Sequence, residues 1–297
     1  MTVPATPKSL LKKYKIHPTK RLGQSFLIDP NVLAKIIKSA HIETEDVVVE
    51  IGAGIGVMTA LIAKEAKNVI ALEIDRAMID ILREELKEYS NIEIIETDVL
   101  RYDVASIRKG VQVPKLKIIG NIPYNISSPI LFHLLDYRHL INSITIMLQK
   151  EVAERIAAIP GTKAYGTLSV ILSMYFKVSK EFNVPAKCFY PPPKVDSTVL
   201  KMTVRDEPLV RLRNPDIFRH LVRTAFGKRR KTLINNIKNS NIFYLASHED
   251  LLQILKSQGI DGGRRGETLT AEEFGRLSNA ISLRNYTNNY LDKENFL

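Results

Sequence analysis

Between residues 47 and 149 the chain alternates short, continuous apolar runs with amphipathic stretches of helical period. Residues 47–51, 69–73, 92–95, 115–120 and 143–149 read as strands, and residues 57–66 and 76–88 as helices. A strand with no polar alternation needs cover on both faces, which an open parallel sheet flanked by helices provides. Short connections between unlike elements lead to the same α/β architecture. Upstream, residues 31–40 place Val32, Leu33, Ile36 and Ile37 on a helical stripe. Two later β-like runs, 177–185 and 197–204, flank Pro191-Pro192-Pro193 and would extend the sheet in antiparallel fashion. Beyond Arg205-Asp206-Glu207-Pro208 the pattern changes to helices over 214–284. The expected organisation is a larger α/β domain over residues 1–207, beginning with a basic arm, and a smaller helical domain over residues 208–297.

Open α/β sheets bind ligands outside the carboxyl ends of their strands, and those ends carry most of the chemistry here. Glu50-Ile51-Gly52-Ala53-Gly54-Ile55-Gly56 joins the first strand to its helix. Glycines there allow a tight turn and close approach of backbone to ligand, although such a turn alone also serves as plain structure. Glu73 closes the second strand about 20 residues downstream, where a carboxylate accepts from ribose hydroxyls. Asp75 is placed to cap the following helix. Asp98 closes the third strand and could accept from an adenine amino group, or act as a turn residue. Dinucleotide enzymes use G-x-G-x-x-G, whereas the spacing here is G-x-G-x-G, which with Glu73 and Asp98 suits S-adenosylmethionine better than NAD. No G-x-x-x-x-G-K-[ST] loop is present, which disfavours a nucleoside triphosphatase.

Asn121-Ile122-Pro123-Tyr124 follows the fourth strand. An exocyclic adenine amine is a poor nucleophile because its lone pair is delocalised into the ring. Methylating it requires oriented acceptors for its N–H bonds more than a strong base. The Asn121 side-chain oxygen and a neighbouring backbone carbonyl, that of Ile122, can supply them. Pro123 stiffens the loop and Tyr124 can stack on the base. The same four residues would also serve as a proline turn with a buried tyrosine.

A net charge of +11 and a pI of about 9.5 point to a polyanionic partner. Lys228-Arg229-Arg230-Lys231 lies near Arg219 and Arg223, Arg264-Arg265 sits between glycines, and Lys12, Lys13, Lys15, Lys20 and Arg21 make the N-terminal arm basic. Any one cluster is usually a solvated face; together they suggest RNA phosphates, which position a substrate without reading its sequence. The single cysteine, Cys188, excludes an internal disulfide. His17, His41, His133, His139, His220 and His248 are scattered, so no metal is expected. The absence of a long apolar stretch or an apolar N-terminal core leads to the expectation of a cytoplasmic protein without a membrane partner.

From residue 22 to about residue 279 the chain resembles the ribosomal RNA adenine dimethyltransferase family, most closely its small-subunit branch. Leu22-Gly23-Gln24-Ser25-Phe26-Leu27 is similar to the family's L-G-Q-N-F-L, with Ser25 at the usual Asn, and Ala53 stands where Pro is commoner. Phe189-Tyr190-Pro191-Pro192-Pro193-Lys194-Val195-Asp196-Ser197 is similar to F-x-P-x-P-x-V-x-S. Asn125-Ile126-Ser127-Ser128-Pro129 resembles the small-subunit form; relatives that methylate the large subunit and confer macrolide resistance usually carry Asp in place of Pro129. Residues 147–155 and 225–233 are also similar to the small-subunit form.

The resemblance implies a Rossmann-like class I methyltransferase domain with a smaller C-terminal helical domain. It implies an S-adenosylmethionine pocket lined by Ser25, Leu27, Gly52, Glu73, Asp98 and Asn121. It puts Phe189, which by itself would read as a core residue, on a flipped adenine, opposite Tyr124. The implied substrate is a pair of adjacent adenosines near the 3′ end of 16S rRNA, in the small subunit or its precursor, with a part in subunit biogenesis. Arg223, Lys228, Arg229, Arg230, Lys231, Arg264 and Arg265 are the expected RNA contacts, and a monomer is the default. Three alternatives remain: a large-subunit methyltransferase, a ribosome-assembly factor with methylation secondary, and a DNA adenine methyltransferase, which commonly has Asp at the position of Asn121.

Overall fold

Val47, Val48 and Val49 are almost wholly buried, as a strand covered on both faces must be. They open an interior strand of the sheet in a computed structural model that describes residues 7–16, 18, 23–109, 115–238 and 248–294. His17, Lys20, Arg21 and Leu22 lie outside the described residues. The elements in chain order are α1 (Pro7–Lys13), β1 (Phe26–Leu27), α2 (Pro30–Ala40), β2 (Val47–Ile51), α3 (Val57–Ala63), β3 (Asn68–Glu73), α4 (Arg76–Glu85) and β4 (Ile92–Glu96). There follow β5 (Leu116–Asn121), α5 (Ser127–Asp136), β6 (Ile141–Gln149), α6 (Lys150–Ile156), α7 (Thr167–Tyr175), β7 (Phe176–Val184), β8 (Phe189–Tyr190) and β9 (Ser197–Val204). The chain ends in α8 (Pro215–Gly227), α9 (Leu233–Lys238), α10 (His248–Ser257) and α11 (Ala271–Glu294).

The main sheet has the order β4-β3-β2-β5-β6-β9-β7. Pairs β2–β3, β3–β4, β2–β5 and β5–β6 are parallel. β9 joins β6 in antiparallel fashion, with Ser143 opposite Thr203 and Gln149 opposite Ser197. The direction of winding reverses between β2 and β5, which opens a crevice at their carboxyl ends. Local sequence sets the helix starts around it. Asp29 caps α2 by accepting from the Asn31 and Val32 amides, with Pro30 in the first turn. Asp75 caps α4 through the Ala77 amide, as its sequence position suggested.

The chain folds into two compact units, one of residues 1–153 and 178–204, the other of residues 154–177 and 205–297. This corrects the single break expected at 207/208. α7 belongs with the helical unit because its apolar residues pack on α8 and α11. Within that unit Phe218, Leu221, Val222, Phe274, Leu277 and Ile281 are fully buried, and Asn214 caps α8.

Gly56 ends the glycine turn at φ 81°, a left-handed conformation, and a Cβ there would lie 2.9 Å from Leu82 Cδ2 and 3.2 Å from Leu86 Cδ1. Backbone strain and overpacking therefore add. Gly56→Ala should lower stability by about 2–4 kcal/mol, read as a shift in the urea midpoint; an unchanged midpoint would show that the α3–α4 layer gives way easily.

Candidate active site

A cavity opens at the carboxyl ends of β2, β3 and β5, where the winding reverses. Its walls include the glycine turn, the β3 end with Glu73 and Ile74, Asp98 beyond β4, and Asn121 to Tyr124 beyond β5. The N-terminal segment Gly23 to Leu27 supplies another wall. Ser25, Leu27, Gly52, Glu73, Asp98, Asn121 and Tyr124, all singled out from the sequence, thus line one cavity.

Glu73 is 7% exposed, and its carboxylate joins two strand ends. Oε2 accepts from the Gly54 amide at 2.8 Å, while Oε1 accepts from the Ile74 and Asp75 amides at 2.9 Å each. Burial pushes its pKa above the ordinary carboxylate value, and the backbone donors partly oppose the shift. Asp98 Oδ1 accepts from the Leu100 amide at 3.0 Å, leaving Oδ2 without a partner among the described residues.

The N-terminal segment is tied across the cavity by polar contacts. Gln24 Nε2 donates to Asp75 Oδ2 at 2.6 Å. Ser25 Oγ donates to the Pro191 carbonyl at 2.8 Å, and the Ser25 carbonyl accepts from Asn121 Nδ2 at 3.0 Å. That last bond identifies the amide nitrogen of Asn121 and leaves Oδ1, an acceptor, unpartnered among the described residues. The Ser25 contact to Asn121 is made by backbone, so it survives the departure from the family's usual Asn. The Tyr124 hydroxyl shares a 2.5 Å hydrogen bond with Ser197 Oγ, and its ring is half-buried.

Phe189 does not line the cavity. It is 2% exposed and packs in a core cluster with Leu27, Leu33, Cys188 and Val199. β1 and β8 pair with Phe26 opposite Tyr190 and Leu27 opposite Phe189. Alternation across this pair turns Phe189 inward and leaves its neighbour Tyr190 in solvent. The expected stack of Phe189 on a base would require its ring to leave the core cluster.

Glu50 was not singled out from the sequence. It lies in β2, is fully buried and lines the cavity, and neither carboxylate oxygen has a hydrogen-bond partner among the described residues. Burial pushes its pKa up to about 8, and the charge of Glu73 adds to the shift. The nearby Thr59 hydroxyl relieves it only partly, without a hydrogen bond of standard geometry. The signal was a lone acid inside an otherwise apolar strand, an expensive placement unless a cation meets it.

The basic residues of the helical unit divide into two kinds. Arg229 pairs with Glu267 at 2.7 Å and donates to the Lys163 carbonyl. Arg264 pairs with Glu273 through two nitrogens, at 2.6 and 3.1 Å, and contacts Thr268. Both arginines therefore have partners within that unit. Arg223, Lys228, Arg230, Lys231 and Arg265 are exposed, and none has a side-chain partner among the described residues. On the arm, Lys13 pairs with Glu85, which also accepts from Tyr14. Among the described residues no cluster of His, Cys, Asp or Glu is placed to hold a metal, and no helix is long and apolar enough to cross a membrane.

The family model described as ribosomal RNA adenine dimethylase matches residues 17–282. The ribosomal RNA small subunit methyltransferase A of Syntrophus aciditrophicus (strain SB) is 45% identical over 275 residues, covering 93% of this chain and 98% of the relative. The crystal structure of a dimethyladenosine transferase from Plasmodium falciparum is similar with a TM-score of 0.74 and 31% identity, covering 85% of this chain and 95% of the other. The 23S rRNA methyltransferase ErmE gives a TM-score of 0.65 at 26% identity, covering 86% and 99%. The sheet and its layers are those of a class I methyltransferase.

Glu50 ordinarily would titrate near 4.5, but the folded chain holds its proton to about pH 8. Between those values the folded state binds a proton that the unfolded state has released, so this group makes stability fall as pH rises through the window. Glu50→Gln removes the titration. The variant should exceed the parent in urea stability at pH 8 by about 2–4 kcal/mol and differ far less at pH 5. Parallel pH profiles for the two proteins would show that Glu50 does not titrate there.

Proposed function

The chain belongs to the ribosomal RNA adenine dimethylase family, and from that membership we propose that it transfers methyl groups from S-adenosylmethionine to N6 of two adjacent adenosines near the 3′ end of 16S rRNA, in the small subunit or its precursor. The observation that carries the reading is Asn121, oriented by the Ser25 carbonyl in the same cavity as Glu50, Glu73 and Asp98.

The residues present fit the cofactor. A desolvated, unpartnered carboxylate such as Glu50 is suited to a cationic ligand. Glu73 keeps accepting capacity for ribose hydroxyls beyond its three backbone donors, and Asp98 Oδ2 can take an amino group. The exposed Ile74 side chain offers an apolar face to a purine. When bound, S-adenosylmethionine supplies an electrophilic methyl group on a positively charged sulfur.

The chain's own part is orientation. Asn121 Oδ1 and the Ile122 carbonyl accept the N6 hydrogens, which directs the nitrogen lone pair toward the methyl group. With the cofactor bound, its methyl group would pass to N6, and the two acceptors would hold the N6 hydrogens in place until the surplus proton leaves for solvent. Tyr124, held by Ser197, presents a ring to the extruded base. Phe189 backs β8 from the core in this conformation. We assign phosphate contacts to Arg223, Lys228, Arg230, Lys231 and Arg265, and fold-holding roles to Arg229 and Arg264. The enzyme acts as a cytoplasmic monomer during small-subunit biogenesis.

Incubation with labelled S-adenosylmethionine and unmethylated small subunits should yield N6,N6-dimethyladenosine. Large subunits should yield none, and Asn121→Ala should reduce the product at least a hundredfold, a loss of about 2.7 kcal/mol or more of transition-state stabilisation. Product on large subunits alone would move the enzyme to the other branch of the family. Tight small-subunit binding without methylation would favour an assembly factor.

Replacing Lys228, Arg230 and Lys231 together by Gln should weaken RNA binding and reduce the salt slope of log K by about 2–3. Arg264→Ala should instead lower the melting temperature of the helical unit. An unchanged salt slope in the triple variant would remove those side chains from the RNA contact.

A further inference from the structure

The family pattern F-x-P-x-P-x-V-x-S leaves the residue after Phe189 open, and here it is Tyr190. Its ring is 49% exposed, directly after a phenylalanine that is 2% exposed. That exposure leaves the ring available to a ligand. The backbone around it is held firmly. Tyr190 pairs with Phe26 across β1–β8, the Pro191 carbonyl accepts from Ser25 Oγ, and three prolines follow. Asp196 closes the segment: its carbonyl accepts from the Lys150 amide at 3.0 Å and its Oδ1 from the Ala186 amide at 3.0 Å.

Those bonds gather cations. Lys150 is bonded through its backbone to Asp196, Lys187 follows Ala186, and Lys194 precedes Asp196 by two positions. All three lysines are exposed, with no side-chain partner among the described residues. Ser25 connects this surface to the reaction centre, since its hydroxyl holds Pro191 and its carbonyl holds Asn121. An exposed aromatic on a segment that also carries exposed lysines is the combination that binds single-stranded nucleic acid, the ring taking a base and the cations its phosphates.

We propose that residues 186–196, with Lys150, form an RNA-contacting surface on the methyltransferase unit itself: Tyr190 stacks on a nucleotide flanking the target adenosine, and Lys150, Lys187 and Lys194 hold the adjoining phosphates. The proposal rests on the RNA methyltransferase reading and adds to it a positioning surface separate from the basic residues of the helical unit. Tyr190 acts on substrate placement, not on the methyl transfer.

The test compares Tyr190→Ala, Tyr190→Phe and the triple variant Lys150→Gln/Lys187→Gln/Lys194→Gln with the parent. Three quantities are read: S-adenosylmethionine binding by calorimetry, kcat/KM on unmethylated small subunits, and affinity for a labelled single-stranded RNA carrying adjacent adenosines. Tyr190→Ala should bind the cofactor normally but lose about tenfold to a hundredfold in kcat/KM and in RNA affinity. Tyr190→Phe, which keeps the ring, should stay within about twofold of the parent. The lysine triple should lower the salt slope of RNA binding by about 2. Parent-like RNA affinity and kcat/KM in Tyr190→Ala would overturn the proposal while leaving the methyltransferase reading intact. A Tyr190→Ala defect on whole subunits but not on free RNA would overturn it in favour of a ribosomal protein contact. If the parent methylates no RNA, the broader reading fails, and the RNA affinities alone decide whether Tyr190 is a stacking residue.

Discussion

The site depends on the carboxylate of Glu73. Three backbone amides from two strand ends converge on it, so the glycine turn after β2 and the chain leaving β3 are held at one spacing. An ion this buried is tolerated because its lone pairs are met by donors fixed in the backbone. The consequence passes outward through bonded neighbours. Asp75, anchored through its amide, caps α4 and accepts from Gln24. Gln24 precedes Ser25, whose carbonyl orients Asn121. The acceptor proposed to face N6 is thus positioned through the same contacts that shape the opposite wall of the cavity.

Glu50 and Glu73 have the same side chain and lie in the same cavity, yet their environments give them different character. Glu73 is satisfied by the fold, whereas Glu50 is buried without a hydrogen-bond partner among the described residues and holds its proton to about pH 8. A chain selected for stability alone would carry an apolar residue beside Val47, Val48 and Val49. Retaining an acid there lowers stability and stores a local mismatch that a cationic ligand can relieve. Local rules are expected to break at functional sites for this reason, and the break in β2 coincides with the cavity.

The sheet was legible in the sequence because strands buried on both faces leave continuous apolar runs: β2 and β9 begin and end where the pattern places them. Helix ends were less legible, since α3 stops at Ala63 and α4 at Glu85 while the apolar period runs on. α7 could not be assigned to a unit because Thr167 to Tyr175 is apolar nearly all round, without the stripe that reveals which side faces a core. Gly52, Glu73, Asp98 and Asn121 were legible as strand ends, whereas Ser25 and Leu27 came only from the family resemblance. Glu50 was not legible, because its isolation is a property of its neighbours in space. The burial of Phe189 follows from packing that a two-residue strand does not announce: the register with β1 sets it opposite Leu27, in the core cluster, and leaves Tyr190 exposed. Counting cations could not separate Arg229 and Arg264 from the rest, since their partners Glu267 and Glu273 are brought to them by folding.

That division among cations bears on how a substrate would be selected. Arginine's planar fork suits the bidentate contacts that Arg229 and Arg264 make inside their unit. The exposed cations left over, Arg223, Lys228, Arg230, Lys231 and Arg265, have no side-chain partner among the described residues, and contacts from such groups to a phosphate backbone read no base. A surface of this kind brings RNA to the protein without distinguishing one adenosine from another. Discrimination would therefore fall to the few groups proposed to meet a base edge or face: the acceptors of Asn121 and Ile122, which an exocyclic amine satisfies and a carbonyl does not, and the ring of Tyr124. An oxygen at the position of N6 would leave both acceptors facing a third, a repulsive and desolvated arrangement that supplies base selectivity without a contact specific to sequence.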